Sequence, residues 1–318
     1  MISSPSAGHL RLLRGHSGVA GKIRWHLGVR LVKRPAWLNA LGAPLTIVDA
    51  YGAPGDTLLT AIVCRHLHER FPRLRLNCIT SYPELLRHDP NIQTLNAPED
   101  YFSVWSWYPD LAGRRDSQAN VLSETFARLR ILNYCYEAKV FLTEEERSAG
   151  RGRLGEIRRP IVTFNTRTKE IVKDWPTERW RAALAALGEH FELVQLGDAG
   201  EPEFAGVRRF AGSLSLRESL GVLVHAQLHI GADSFLMHGA NGLGVPSVIL
   251  FGGSRSPASL GYAGNVNLFV PMACGPCWLQ PSRGQQCVHN IACMDKITVD
   301  EVVAAMHRLA AQRLCATS

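Results

Sequence analysis

Long apolar runs are missing from this chain. None of its 318 residues belongs to a stretch approaching the roughly 20 apolar residues that span a bilayer, and no secretory signal opens it. A cytoplasmic location is the expectation. Acidic residues are absent from positions 1–48, which hold Arg11, Arg14, Lys22, Arg24, Arg30, Lys33 and Arg34. That leaves 28 of the 35 Lys and Arg to face all 28 Asp and Glu, so the formal charge of +7 belongs to an N-terminal arm. A nucleic-acid enzyme spreads basic side chains over its binding face, and a neutral body argues against that class. Phosphate fingerprints are missing too. There is no P-loop, and Gly252-Gly253 is too short for a dinucleotide loop, so an NAD or ATP enzyme has no support.

Hydrophobic residues make up 46% and charged residues 20%, the composition of a soluble globular protein, and the length suits two domains. In the arm, Val19, Ile23, Leu27 and Leu31 recur every four residues among basic side chains. Such a helix can lie on an anionic membrane surface. A solvated tail, an extension packed on the body and a transit peptide stand beside that reading.

Beyond the arm, LTIVDAYG (45–52) reads as a buried strand leading through Gly55-Asp56 into a helix over 57–71, stopped by Pro72. RLNCIT and IQTLN read as strands, PELLRHD as a short helix, and 118–137 as helical. The aromatic cluster Tyr101, Phe102, Trp105, Trp107 and Tyr108 suits packing more than sugar stacking. The charged stretch 142–160 reads as a linker. The expected domains are therefore 1–43 (arm), 44–150 and 151–318. In the last, PIVTFNT, FELVQLG, VRRFAG, LHIGAD and PSVILFGG alternate with helices, one of them capped by Thr177. Alternation at these spacings demands crossover connections and a parallel Rossmann-like sheet.

Ligands of such sheets bind outside the carboxyl ends of the strands. In the second half that edge holds Thr166, Thr168, Lys173, Asp198, Asp233, Ser234 and His238. A cation with several O–H and N–H donors suits a diphosphate, and a carboxylate suits sugar hydroxyls. Asp233 and Ser234 could equally be ordinary helix caps, as could Asp56. At a carboxyl edge, Asp56 could also take a proton from an attacking hydroxyl. Cys274, Cys277, Cys287 and Cys293 form a C-x2-C-x9-C-x5-C cluster. That spacing suits a structural zinc or iron, with disulfides or free thiols as the alternatives. Its distance in sequence from the phosphate loops sets it apart from catalysis.

In order along residues 45–310, four segments resemble glycosyltransferase family 9, the ADP-heptose:lipopolysaccharide heptosyltransferases. They are GAPGDTLLTAIVCRHLHERFP, KDWPTERWRAAL, IGADSFLMHGANGLGVPSVILFGG, and the cysteine cluster running into CMDKITVDEVVAAM. The resemblance implies a GT-B fold: α/β, two facing Rossmann-like domains with parallel sheets and an interdomain cleft. It also implies an inverting, metal-independent sugar transfer with no catalytic cofactor. By motif position Asp56 is the general base and Lys173 holds the diphosphate. Asp233 contacts the sugar. The amides of Ser234, Phe235 and Leu236, with His238, hold phosphates and sugar. Asp198 meets the ribose and Leu214 the adenine. The partners implied are a nucleotide sugar, ADP-heptose favoured, and a lipopolysaccharide-core or other envelope glycan on a lipid-linked acceptor, with the arm on the inner membrane face. No nucleic-acid partner is expected. A different nucleotide sugar, a protein or natural-product acceptor, and a non-catalytic binding member are the alternatives. Three departures stand out. Phe235 replaces the family's Gly, Gly253-Ser254-Arg255 replaces its Pro-Thr, and the N-terminal domain carries fewer elements between residues 95 and 150.

Overall fold

The computed structural model describes residues 39–97, 103–108, 111, 118–279 and 285–317. The arm up to residue 38, with its amphipathic pattern, and Tyr101 and Phe102 of the aromatic cluster lie outside the described residues. The chain divides into two compact units whose boundary falls between Phe141 and Leu142.

The first unit is a parallel sheet of order β3-β2-β1-β4. Its strands are β1 (Pro44–Asp49), β2 (Arg75–Ile79), β3 (Thr94–Leu95) and β4 (Ser103–Ser106). Ile47 and Val48 of β1 are fully buried, as expected of a strand covered on both faces. Helix α1 (Pro54–Arg70) follows β1 and starts earlier than its apolar spacing suggests, because Pro54 occupies its first turn. The helical pattern over 118–137 survives only as α2 (Ser123–Leu129), which stops at left-handed Arg130. The segment IQTLN shrinks to the two residues of β3, and PELLRHD to a 3-10 turn at Pro83–Leu86.

The second unit holds a six-stranded parallel sheet of order β10-β9-β8-β5-β6-β7. The strands are β5 (Ile161–Phe164), β6 (Glu192–Gln195), β7 (Arg208–Arg209), β8 (Leu228–Ala232), β9 (Ser247–Phe251) and β10 (Val266–Phe269). The chain winds outward from β5 in one direction and returns to wind outward from β8 in the other, the doubly wound order. Helix α3 (Glu144–Leu154) lies inside the stretch read as a linker and belongs to this unit. Thr143 and Glu146 close a capping box at its start. Gly150 of α3 meets Gly221 of α5 (Leu216–Leu223), and a Cβ on Gly221 would stand 2.8 Å from the Glu146 carbonyl oxygen. Only glycines allow that approach. Arg217 of α5, buried, grips the Glu146 carboxylate with two nitrogens. On one face of the sheet Trp175, Trp180, Phe164 and Met306 share a core with Val248 and Leu250. Helix α4 (Thr177–Gly188) contributes Trp180; Pro176, not Thr177, sits at its N-cap, and no side chain caps it.

Candidate functional site

Strand order fixes where each unit can bind. In the second unit direction reverses between β5 and β8, so the loops leaving those strands open a crevice at the carboxyl edge. The β5 loop carries Thr166, Thr168 and Lys173; the β8 loop carries Asp233 and Ser234 at the start of α6 (Phe235–Gly242). The fold brings the two sets together. Lys173 Nζ lies 3.0 Å from Asp233 Oδ2 and 3.0 Å from Glu170 Oε2. Burial works against the Lys173 charge, but Asp233 and Glu170 outweigh it and hold its pKa above the ordinary lysine value. Burial likewise opposes the Asp233 charge, and Lys173, helped by His238 and Arg255, overrides it and keeps the carboxylate low. At neutral pH the pair is ionic.

Neither the Asp233 nor the Ser234 side chain makes a capping bond to α6. Ser234 takes the N-cap position in extended geometry without a side-chain bond to the helix. The first amides of α6 have no intrahelical acceptor, as at any helix start, and face an anion favourably. His238 sits one turn in, buried, and burial drives its pKa down to about 4 despite Asp233. Its Nδ1 lies 2.7 Å from the Tyr262 hydroxyl. With Tyr262 donating, the neutral ring carries its proton on Nε2 and offers a donor. Tyr262, 24 residues along the chain and past a turn, gave no sequence signal. Phe235 is half-buried in the first turn of α6, and Leu236 is buried behind it.

Two of the expected ligand contacts, Asp198 and Thr168, are bonded within their own loops. Asp198 is exposed and its Oδ1 accepts from the Gly200 amide, closing a local turn. The buried carboxylate of that loop is Glu201, which accepts from the Thr166 amide and hydroxyl and from the Arg167 amide. Glu201 therefore fixes the end of β5. Thr168 is tied into its own loop, its amide donating to Asp174 Oδ1 and its hydroxyl to the Glu170 carbonyl. Leu214 is half-buried in the loop before α5.

In the first unit the reversal lies between β1 and β4. The residues at their ends meet: the Tyr108 hydroxyl donates to Asp56 Oδ1 at 3.0 Å, and Tyr108 stacks on Tyr51 with centroids 4.2 Å apart. Asp56 lies in the first turn of α1 rather than at its cap, which is Ala53. The turn between β1 and α1 is held by Asp49. This buried carboxylate accepts from the Tyr51 and Gly52 amides and from the Thr57 and Thr80 hydroxyls. A hydrogen-bonded carboxylate at a strand end can receive a proton from a hydroxyl.

The cysteines come partly together. Burial pushes the Cys277 thiol up, and the nearby Cys293 and Cys287 add to the rise. The Leu279 amide donates to Cys277, and the Ile291 amide to Cys287 Sγ. Among the described residues, however, no three Cys, His, Asp or Glu side chains gather as a metal-holding set. The expected zinc or iron site at Cys274, Cys277, Cys287 and Cys293 is not formed by these side chains as they stand. No disulfide joins them either.

Comparison with known proteins bears on the family and the fold. Residues 132–288 match glycosyltransferase family 9 (heptosyltransferase). The lipopolysaccharide heptosyltransferase 1 of Pseudomonas aeruginosa is 33% identical over 133 residues, 37% of this chain and 36% of that protein, so the match spans about a third of the relative's length. Among solved structures, the ADP-heptose lipopolysaccharide heptosyltransferase II of E. coli superimposes with a TM-score of 0.62 at 16% identity, covering 85% of this chain and 99% of that one. TibC, an iron-containing dodecameric heptosyltransferase of enterotoxigenic E. coli solved with ADP-D-β-D-heptose, gives a TM-score of 0.65 at 20% identity. It covers 85% of this chain and 77% of TibC. These structural likenesses carry the fold, the parallel-sheet GT-B class. Residues 132–288 thus carry a domain of glycosyltransferase family 9 (heptosyltransferase).

Proposed function

We propose that the protein is an inverting heptosyltransferase that moves heptose from ADP-heptose to a hydroxyl of a lipopolysaccharide-core or related envelope glycan. The Lys173–Asp233 ion pair at the mouth of α6 carries the proposal. It sets a fixed cation and a fixed sugar-binding carboxylate beside free helix amides, the set a nucleotide diphosphate sugar needs. The likeness to the E. coli ADP-heptose lipopolysaccharide heptosyltransferase II and to TibC, solved with ADP-D-β-D-heptose, supports the donor.

In this reading Asp56 takes the proton of the acceptor hydroxyl, held in place by Tyr108. The acceptor oxygen forms its bond to the anomeric carbon as the bond from that carbon to the phosphate oxygen breaks, on the opposite face. The charge that leaves with ADP is met by Lys173, by the α6 amides and by the His238 Nε2 proton. Asp233 orients the sugar. The side chains named supply the whole of this chemistry, and no step is routed through a metal. The basic arm places the protein on the cytoplasmic face of the inner membrane, beside a lipid-linked acceptor.

Asp56→Ala tests the reading. Transfer from ADP-heptose should fall by at least about 1,000-fold, the upper range for loss of a general base, while ADP-heptose affinity stays within threefold. Undiminished transfer would remove Asp56 from the mechanism, and a wild-type protein that binds ADP-heptose without turnover would favour a binding-only role.

A further inference from the structure

Arg255, in the loop after β9, is a buried cation that none of the roles above uses. It is 7% exposed. Its Nη1 donates to the Ser254 hydroxyl at 2.6 Å and to the Ser254 carbonyl at 3.3 Å. Its Nη2 stands 3.8 Å from Glu170 Oε1, and Glu170 is already paired with Lys173. The guanidinium thus shares one carboxylate with a second cation. Its Nε and Nη2 make no hydrogen bond among the described residues, although a guanidinium carries five N–H donors. Burying a charge so thinly paired is unfavourable unless another anion completes it. The guanidinium face lies on the Trp278 ring, 4.3 Å from its centroid. Trp278 is itself anchored to the loop: its amide donates to the Ser254 carbonyl at 3.0 Å, and the Cys277 amide to the Gly253 carbonyl at 2.8 Å. The cysteine segment is thereby laced to the phosphate side of the site.

We propose that Arg255 is a second diphosphate-binding cation beside Lys173, held in position by Trp278. The proposal rests on the nucleotide-sugar reading above. A guanidinium presents two parallel N–H groups that match two phosphate oxygens, which an ammonium cannot do. Glu170 occupies the place of the phosphate until the donor arrives. This role gives a use to the arginine that stands where the family has Pro-Thr.

Isothermal titration of the full chain with ADP, GDP, UDP and AMP tests this. For whichever diphosphate the wild type binds, Arg255→Gln should weaken affinity about 10- to 100-fold, the worth of a lost charge-assisted contact. AMP affinity should change by less than threefold. Arg255→Lys, which keeps the charge and protects folding, should recover only part of the loss. Trp278→Leu should weaken the diphosphate but not AMP, and Trp278→Phe should restore it. Diphosphate affinity unchanged in Arg255→Gln, or fully restored by lysine where Gln does not fold, would overturn the assignment to Arg255 alone. A wild type that binds none of the nucleoside diphosphates would overturn the donor reading with it.

Discussion

Replacing Lys173 by Met should cost the second unit about 3–5 kcal/mol at pH 7.5, the usual penalty for stranding one half of a buried ion pair. The geometry sets the scale. Two carboxylates stand 3.0 Å from Nζ, and at an effective dielectric of about 20 each pair is worth roughly 5 kcal/mol before desolvation is subtracted. Asp233 is 5% exposed and cannot recover its hydration when the lysine goes. The pH dependence has a definite sign. In the wild type the Asp233 pKa is depressed, so its contribution is present above the unfolded carboxylate value and is lost as pH falls through the lower folded value. In Lys173→Met burial dominates and raises that pKa. The deficit is then small in acid and grows as pH rises through the new value. Lys173→Met with Asp233→Asn should therefore be more stable than Lys173→Met alone by about 2 kcal/mol at pH 7.5. Urea unfolding followed by hydrogen exchange in peptides covering β5 and β8 reads this unit separately from the other. A loss below about 1 kcal/mol in the single variant, or no gain in the double one, would refute a buried ionic pair at this site.

Acid should weaken the same unit through two buried histidines. Burial drives His229 to about 3 and His238 to about 4. Their neutral forms stabilise the fold above pH 6.5, and each should cost about 2 kcal/mol at pH 5; unfolding midpoints that do not move between pH 7.5 and 5 would contradict this. Gly150→Ala should destabilise by about 3 kcal/mol or more despite its better helix propensity, because the new methyl enters the Gly221 carbonyl; a thermal midpoint at or above wild type would show that the crossing can relax. Liposome co-sedimentation on anionic vesicles should show binding by the full chain and its loss without residues 1–40. Equal binding would end the membrane role of the arm.

Much of this fold was legible because parallel strands and their helices write themselves in runs. LHIGAD and PSVILFGG are fully buried strands, and the Asp233-Ser234 turn between β8 and α6 lies where its flanking patterns put it. Lys173 and Asp233, 60 residues apart, were placed on one edge by strand-end reasoning, and the structure makes them a bonded pair. What stayed illegible depends on partners distant in the chain. Asp198 and Glu201 sit three residues apart in one loop, and no local pattern tells which carboxylate turns inward to Thr166. Tyr108 and Tyr262 meet Asp56 and His238 only after the sheets assemble. The helical spacing over 118–137 was a true periodicity that the backbone abandoned at Arg130, where the chain turns left-handed.

The glycine crossing of α3 on α5 also decides how the second unit can be dissected. A fragment opened at residue 151, where composition alone suggests a seam, would discard Thr143, Glu146 and Gly150 together. Arg217 would be left buried without the carboxylate it grips, and the surface of α5 around Gly221 would lose its covering. Such a fragment should aggregate, while one opened ahead of Thr143 keeps the capping box and the crossing whole. The charged, glycine-bearing segment that looks most like connecting chain is instead the clasp of the unit that follows it.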